Sequence, residues 1–144
     1  MDYNNQYSFN YLEAAPADIP SVVWCNNRST SIPAAAGWSA RAVGAGQANT
    51  NAMTMACTSG AANSAAAYST STTLAGDWFL GSIGDMILMF NNLTYAGVGD
   101  LQLTIYWSSS ENTSSSVAGE NIAFGNQSNE AKNSQLPVRA VRQF

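Results

Sequence analysis

Histidine is absent from this chain. Every catalytic arrangement that needs an imidazole base is excluded with it. Two cysteines and no histidine also fall short of the four such ligands that a tetrahedral zinc site takes. Charge is scarce: only 10% of residues are Asp, Glu, Lys or Arg, against about 25% in an ordinary domain. The five basic residues, Arg28, Arg41, Lys132, Arg139 and Arg142, form no run, and the net charge is −4. A phosphate backbone needs a positive patch, so no nucleic-acid partner is expected. Long apolar runs are missing too. The longest, Met86 to Phe90, is far below the ~20 residues that span a bilayer, so no membrane partner is expected. Met1 to Asn5 lacks the basic and apolar regions of a signal peptide. The expectation is a mature form, an excised domain, or a phage protein assembled without secretion.

What is present in quantity is neutral polarity. With so few charges the polar surface must be built from Asn, Ser, Thr and Gln, the habit of an extracellular or virion surface. At 144 residues and 15.2 kDa the chain is expected to form one domain over 1–144, burying roughly 68–70% of its unfolded surface. Cys25 and Cys57 allow one disulfide, closing a loop of about 33 residues and contributing about 3–4 kcal/mol. The other reading is two buried thiols.

Tyr7, Phe9 and Tyr11 alternate with polar residues as in a strand, and Val22-Val23-Trp24 is a short β-prone run. Asn49 to Cys57 predicts a helix capped by Asn49 or Thr50, with Ala52, Met53, Ala56 and Cys57 on one face. Ala61 to Tyr68 predicts a second helical piece, and Asp77 to Leu80 a strand. Ser82 to Asp85 matches a capping box. After it Ile83, Met86, Ile87 and Phe90 form one apolar stripe, ended by Asn91-Asn92. Leu101 to Trp107 alternates as a half-buried strand. Ser108 to Gly119 and Gly125 to Gln135 read as polar loops, flanking a short strand over Asn121–Phe124, and Pro137 to Arg142 predicts the last strand. Sparse helices followed by strands predict an α+β fold with an antiparallel sheet.

No motif dictates an enzyme. The Ser108-Ser109-Ser110 cluster has no base beside it in sequence. Asp77, Asp85, Glu111 and Glu120 show no spacing that selects a catalytic pair of carboxylates. Gly44-Ala45-Gly46 lacks the third glycine of a phosphate loop and reads as a turn. Calcium is the one cofactor with candidate oxygen ligands, Asp100, Glu111, Asn112, Glu120 and Asn121, although no EF-hand spacing is present. Trp24, Trp38, Trp78 and Trp107 are candidate sugar-stacking platforms; Trp78 and Trp107, within apolar strands, are expected in the core, and Trp38, in a small-residue segment, on the surface. The two polar loops are the expected binding surface, because binding residues concentrate on loops held by a scaffold. The expected ligand-binding residues are Asn112, Thr113, Ser115, Asn126, Gln127, Asn129 and Asn133, with Trp38.

Five blocks, taken in order, resemble the C-terminal domain of collagen-like bacterial adhesins (the Lcl C-terminal domain family). They are Tyr11-Leu12-Glu13-Ala14-Ala15-Pro16-Ala17-Asp18, Gly44-Ala45-Gly46-Gln47-Ala48-Asn49-Thr50, Asp77-Trp78-Phe79-Leu80, Tyr106-Trp107-Ser108-Ser109-Ser110-Glu111-Asn112 and Val138-Arg139-Ala140-Val141-Arg142. The likeness lies in their order and covers Tyr11 to Phe144. It implies a C-type-lectin-like fold, with two helices packed on a small antiparallel sheet, shared with formylglycine-generating enzymes and phage tropism determinants. Gly81 stands where such domains commonly carry proline. The Glu-Pro-Asn and Trp-Asn-Asp motifs of calcium-dependent sugar binding are absent. The resemblance implies a non-enzymatic adhesion or recognition domain on a phage particle or bacterial surface. Its partners would be a host cell-surface glycan or protein, other subunits of its assembly, and further copies in a homo-oligomer. It also implies sequence variation toward the C-terminus, where Asn112, Asn121, Asn126, Asn129 and Asn133 cluster. The alternative function is a structural decoration or fibre-tip subunit acting only through protein–protein contacts.

Overall fold

A computed structural model describes residues 11–144; the expected strand positions Tyr7 and Phe9 lie outside them. Within the described residues the fold is mixed α+β, with the three helices that the local patterns predict, where the resemblance implies two. They are α1 (Gly46–Ala56), α2 (Ala61–Ala66) and α3 (Ile83–Met89). The strands are β1 (Leu12–Ala14), β2 (Ile19–Val22), β3 (Phe79–Leu80), β4 (Ile105–Thr113), β5 (Ser116–Asn121), β6 (Asn126–Ala131), β7 (Leu136–Val138) and β8 (Ala140–Gln143). Instead of one sheet they form three small antiparallel ones, ordered β1-β8-β3, β2-β7 and β4-β5-β6.

The β1-β8-β3 sheet divides the core. Side chains alternate across a strand. Leu80 and Ala140 therefore enter one cluster with Trp24, Met53, Trp78 and Trp107. Phe79 and Val141 enter a second with Met86, Met89, Tyr106 and Ile122. The two expected core tryptophans, Trp78 and Trp107, are buried, as is Trp24, and Trp38 is 91% exposed. Tyr68 packs edge-on against Trp78 with ring centres 5.3 Å apart.

The capping box forms as expected. Ser82 Oγ accepts the Asp85 N–H at 3.1 Å and Asp85 Oδ2 accepts the Ser82 N–H at 2.9 Å. Asp85 Oδ1 also accepts the Gly44 N–H at 2.7 Å, fastening the loop before α1 to the start of α3. Burial pushes the Asp85 carboxyl up against the opposing pull of these donors. Gly46 is required there, because a Cβ would lie 2.6 Å from Asp85 Oδ2. The stripe of α3 is Ile83, Met86 and Met89, with Ile87 and Phe90 only partly covered. Asn91-Asn92 do not end the helical path, which widens into a π turn over Phe90–Thr94.

In α1 the expected caps are not caps. Asn49 and Thr50 lie inside the helix and are 1% exposed. Asn49 Nδ2 donates to the Ala40 carbonyl and to Ser109 Oγ, and Thr50 Oγ1 bonds both backbone groups of Leu80. The buried stripe is thus Gly46, Asn49, Thr50 and Met53, and Ala56 is exposed.

Cys25 and Cys57 form a disulfide joining the segment after β2 to the end of α1. Gly60 caps α2 at φ 136°, with the Ala61 N–H donating to the Trp24 carbonyl. The first and last resemblance blocks meet where Arg139 Nε donates to Asp18 Oδ1 at 2.6 Å. Arg139 is 1% exposed and also donates to the carbonyls of Ala15, Gly99 and Asp100.

The largest departure is in the last third. Leu101 to Thr104 are not strand, and the two polar loops are largely strand: β4 runs on through Thr113, β5 begins at Ser116, and β6 occupies Asn126–Ala131. The expected short strand over Asn121–Phe124 is the turn between β5 and β6, with Asn121 closing β5. Ser108, Ser109 and Ser110 are fully buried. Ser108 Oγ donates to the Ala118 carbonyl, the Ser109 N–H donates to the Gly81 carbonyl, and Ser110 Oγ donates to Ala40 O and accepts the Ile83 N–H. Neutral hydroxyls satisfy buried backbone groups here without the desolvation cost of a charge.

Candidate functional site

The 3₁₀ turn Ser39–Arg41 lies against β4 and carries Arg41 onto the β4-β5-β6 sheet. Arg41 Nη1 donates to Asn112 Oδ1 at 2.6 Å and Nη2 donates to Gln127 Oε1 at 2.7 Å. Asn112 Nδ2 in turn donates to Asn129 Oδ1 at 2.8 Å. One guanidinium and three amides thus form a continuous exposed row from β4 to β6. Gln127 and Asn129 share a face because they are two apart on a strand.

Trp38 begins the same turn, with its carbonyl accepting the Arg41 N–H at 3.1 Å. Four expected ligand-binding residues, Trp38, Asn112, Gln127 and Asn129, are therefore grouped around Arg41. The remaining four are not. Thr113 and Ser115 sit at the β4–β5 turn, where Thr113 Oγ1 lies 2.7 Å from Ser116 Oγ. Asn126 pairs with Asn121 and faces the side opposite Gln127 and Asn129. Asn133 is exposed in the turn after β6. Arg41 itself was missed by sequence reasoning, which treated the basic residues only as a missing run; its place between amides some 70 and 86 residues away leaves no local signal.

Behind the row lies a rigid interior. Glu111 is buried, pairs with Lys132, and accepts the Ile32 N–H at 2.7 Å through its other oxygen. Lys132 also donates to the Thr30 carbonyl at 2.8 Å. Glu120, opposite Gln127 in the ladder, is 1% exposed, and neither carboxylate oxygen has a hydrogen-bond partner. Burial alone pushes its carboxyl up.

The expected calcium ligands are not assembled. Glu111 is committed to Lys132 and Asn112 to Arg41, and Asn121 Oδ1 accepts the Ala123 N–H. Among the described residues no group of three or more His, Cys, Asp or Glu side chains is placed to hold a metal ion. Among the same residues no helix is long and apolar enough to cross a membrane.

No protein-family model matches the chain. No curated protein matches it either.

Proposed function

We propose that this protein is a non-enzymatic recognition domain that binds a cell-surface glycan or protein through the exposed face around Arg41. The observation that carries this reading is the exposed row in which one guanidinium holds Asn112 and Gln127, and Asn112 holds Asn129, beside the exposed Trp38. A fixed polar face beside an exposed indole suits a ligand with both hydroxyls and an apolar ring face. The order of the five sequence blocks supports a C-type-lectin-like fold and display on a phage particle or bacterial surface. The disulfide supports an oxidising, extracellular setting. Its two sulfurs are bonded to each other rather than free for the copper chemistry of formylglycine-generating enzymes.

The test is a glycan array with a whole-cell binding assay, run with calcium and with chelator. The triple variant Asn112→Ala, Gln127→Ala, Asn129→Ala is expected to lose attachment, and Asn126→Ala, on the opposite side of β6, to keep it. Unchanged attachment in the triple variant would sink the assignment of this face.

A second reading, a structural subunit of a larger assembly, draws on a different surface. Tyr95, Leu103 and Phe124 are 82%, 76% and 80% exposed. Loss of particle integrity without change of host range on their replacement would favour it.

A further inference from the structure

The row of amides has a direction, and Arg41 sets it. A guanidinium has donors only. Asn112 and Gln127 must therefore turn their carbonyl oxygens toward Arg41. Asn112 then has only its NH₂ to offer Asn129, which must present its own oxygen. Each of the three amide oxygens already accepts one bond within the row. Left without a bond in the row are Gln127 Nε2, Asn129 Nδ2 and the unused guanidinium N–H groups, so the face offers donors and one positive charge.

That charge is not neutralised locally. Among the described residues Lys132, Arg139 and Arg142 each pair with a carboxylate, and Arg41 pairs with none. Of the nearby acids, Glu111 is taken by Lys132, and Glu130 alternates to the opposite side of β6 from Gln127. Glu120 is on the same side, buried, and shifted by desolvation toward its neutral form. Trp38 and Arg41 are three apart in a 3₁₀ turn, a spacing that places both side chains on one side.

We propose that the ligand is an acidic sugar, its carboxylate seated on Arg41 and the free N–H groups of Gln127 and Asn129, its ring face against Trp38. The planar guanidinium fork matches a carboxylate in a way a lysine ammonium does not. This inference rests on the recognition reading above and names its ligand class.

The experiment is calorimetric titration of the full chain with sialyl- and uronate-terminated oligosaccharides, and with the same oligosaccharides after carboxyl reduction. Carboxyl reduction is expected to weaken binding by about tenfold or more. Arg41→Gln and Arg41→Lys weaken binding of the acidic forms, Asn129→Leu does so without touching Arg41, and Asn126→Ala does not. Thermal unfolding of each variant separates lost binding from lost fold. Equal affinity for acidic and reduced forms overturns the proposal and leaves glycan recognition standing. No binding to either form, with cell attachment intact, overturns it in favour of a protein ligand. No glycan binding and no cell attachment overturns the recognition reading as well.

Discussion

Lys132 lies wholly buried over Trp24, its ammonium 4.6 Å from the ring centre, and its charge is met by Glu111. A lysine is almost never buried without a partner. Here the partner also accepts the Ile32 backbone N–H, so one ion pair ties β4, the turn after β6 and the residue that precedes a 3₁₀ turn over Pro33–Ala35. Lys132→Met strands the Glu111 charge and is expected to cost about 3–5 kcal/mol in urea unfolding. The double variant with Glu111→Leu recovers most of that loss.

The disulfide links chain segments on either side of α1. Cys25→Ala with Cys57→Ala is expected to lower stability by about 3–4 kcal/mol, read from the urea midpoint under oxidising conditions. The far-ultraviolet dichroism of the folded form stays unchanged, because both sites are small and buried.

Glu120 makes stability fall with rising pH. Its carboxyl holds a proton more tightly folded than unfolded, where 4.5 is its ordinary value. Its contribution is fully present below 4.5 and is lost as pH rises through the raised folded value. Glu120→Gln is therefore expected to be more stable than the parent at pH 7, with the difference vanishing as pH falls toward 4.5. Parallel stability curves for the two proteins would contradict it.

Tyr106 marks the alkaline limit. Burial, and then its hydrogen bond to Asp18, push the phenol from 10.0 up to about 12. The unfolded phenol ionises first, so this part of the stability is present below pH 10.0 and lost as pH rises through about 12. Phenolate absorbance should show one tyrosine titrating late, and Tyr106→Phe should remove it.

Gly60 holds a backbone that other residues avoid. At φ 136° its Cβ would lie 2.5 Å from the Trp24 carbonyl oxygen. Gly60→Ala is expected to lower the unfolding midpoint by an amount equivalent to about 1–3 kcal/mol or more.

Local signals in the sequence were read well where the chemistry is local. The Ser82–Asp85 capping box needs only a spacing of three, and it forms. The core tryptophans announce themselves by their apolar neighbours. The β4-β5-β6 sheet did not, because its strands carry serine, threonine and asparagine where periodicity looks for apolar residues. Ser108 to Ser110 are inside for reasons of hydrogen bonding to Gly81, Ala40, Ile83 and Ala118, partners 10 to 70 residues distant. Asn49 and Thr50 were misread for the same reason: a short polar side chain suits a helix cap, and equally a buried bond to a distant backbone. The site followed suit. Its amides were visible as residue types, while their grouping depended on Arg41 and on strand alternation that separates Asn126 from Gln127.

The row of amides stands on strands but outside the core: Asn112, Gln127 and Asn129 are exposed, and the buried work on β4 and β5 falls to Ser108, Ser110 and Val117. The proposed recognition and the folding thus fall to different positions of the same sheet. On the proposed recognition face, substitutions at 112, 127 and 129 would alter what is bound while the interior keeps its bonds, leaving a lineage free to sample new ligands there. The serines have no such freedom, since each hydroxyl answers a backbone group that water does not reach.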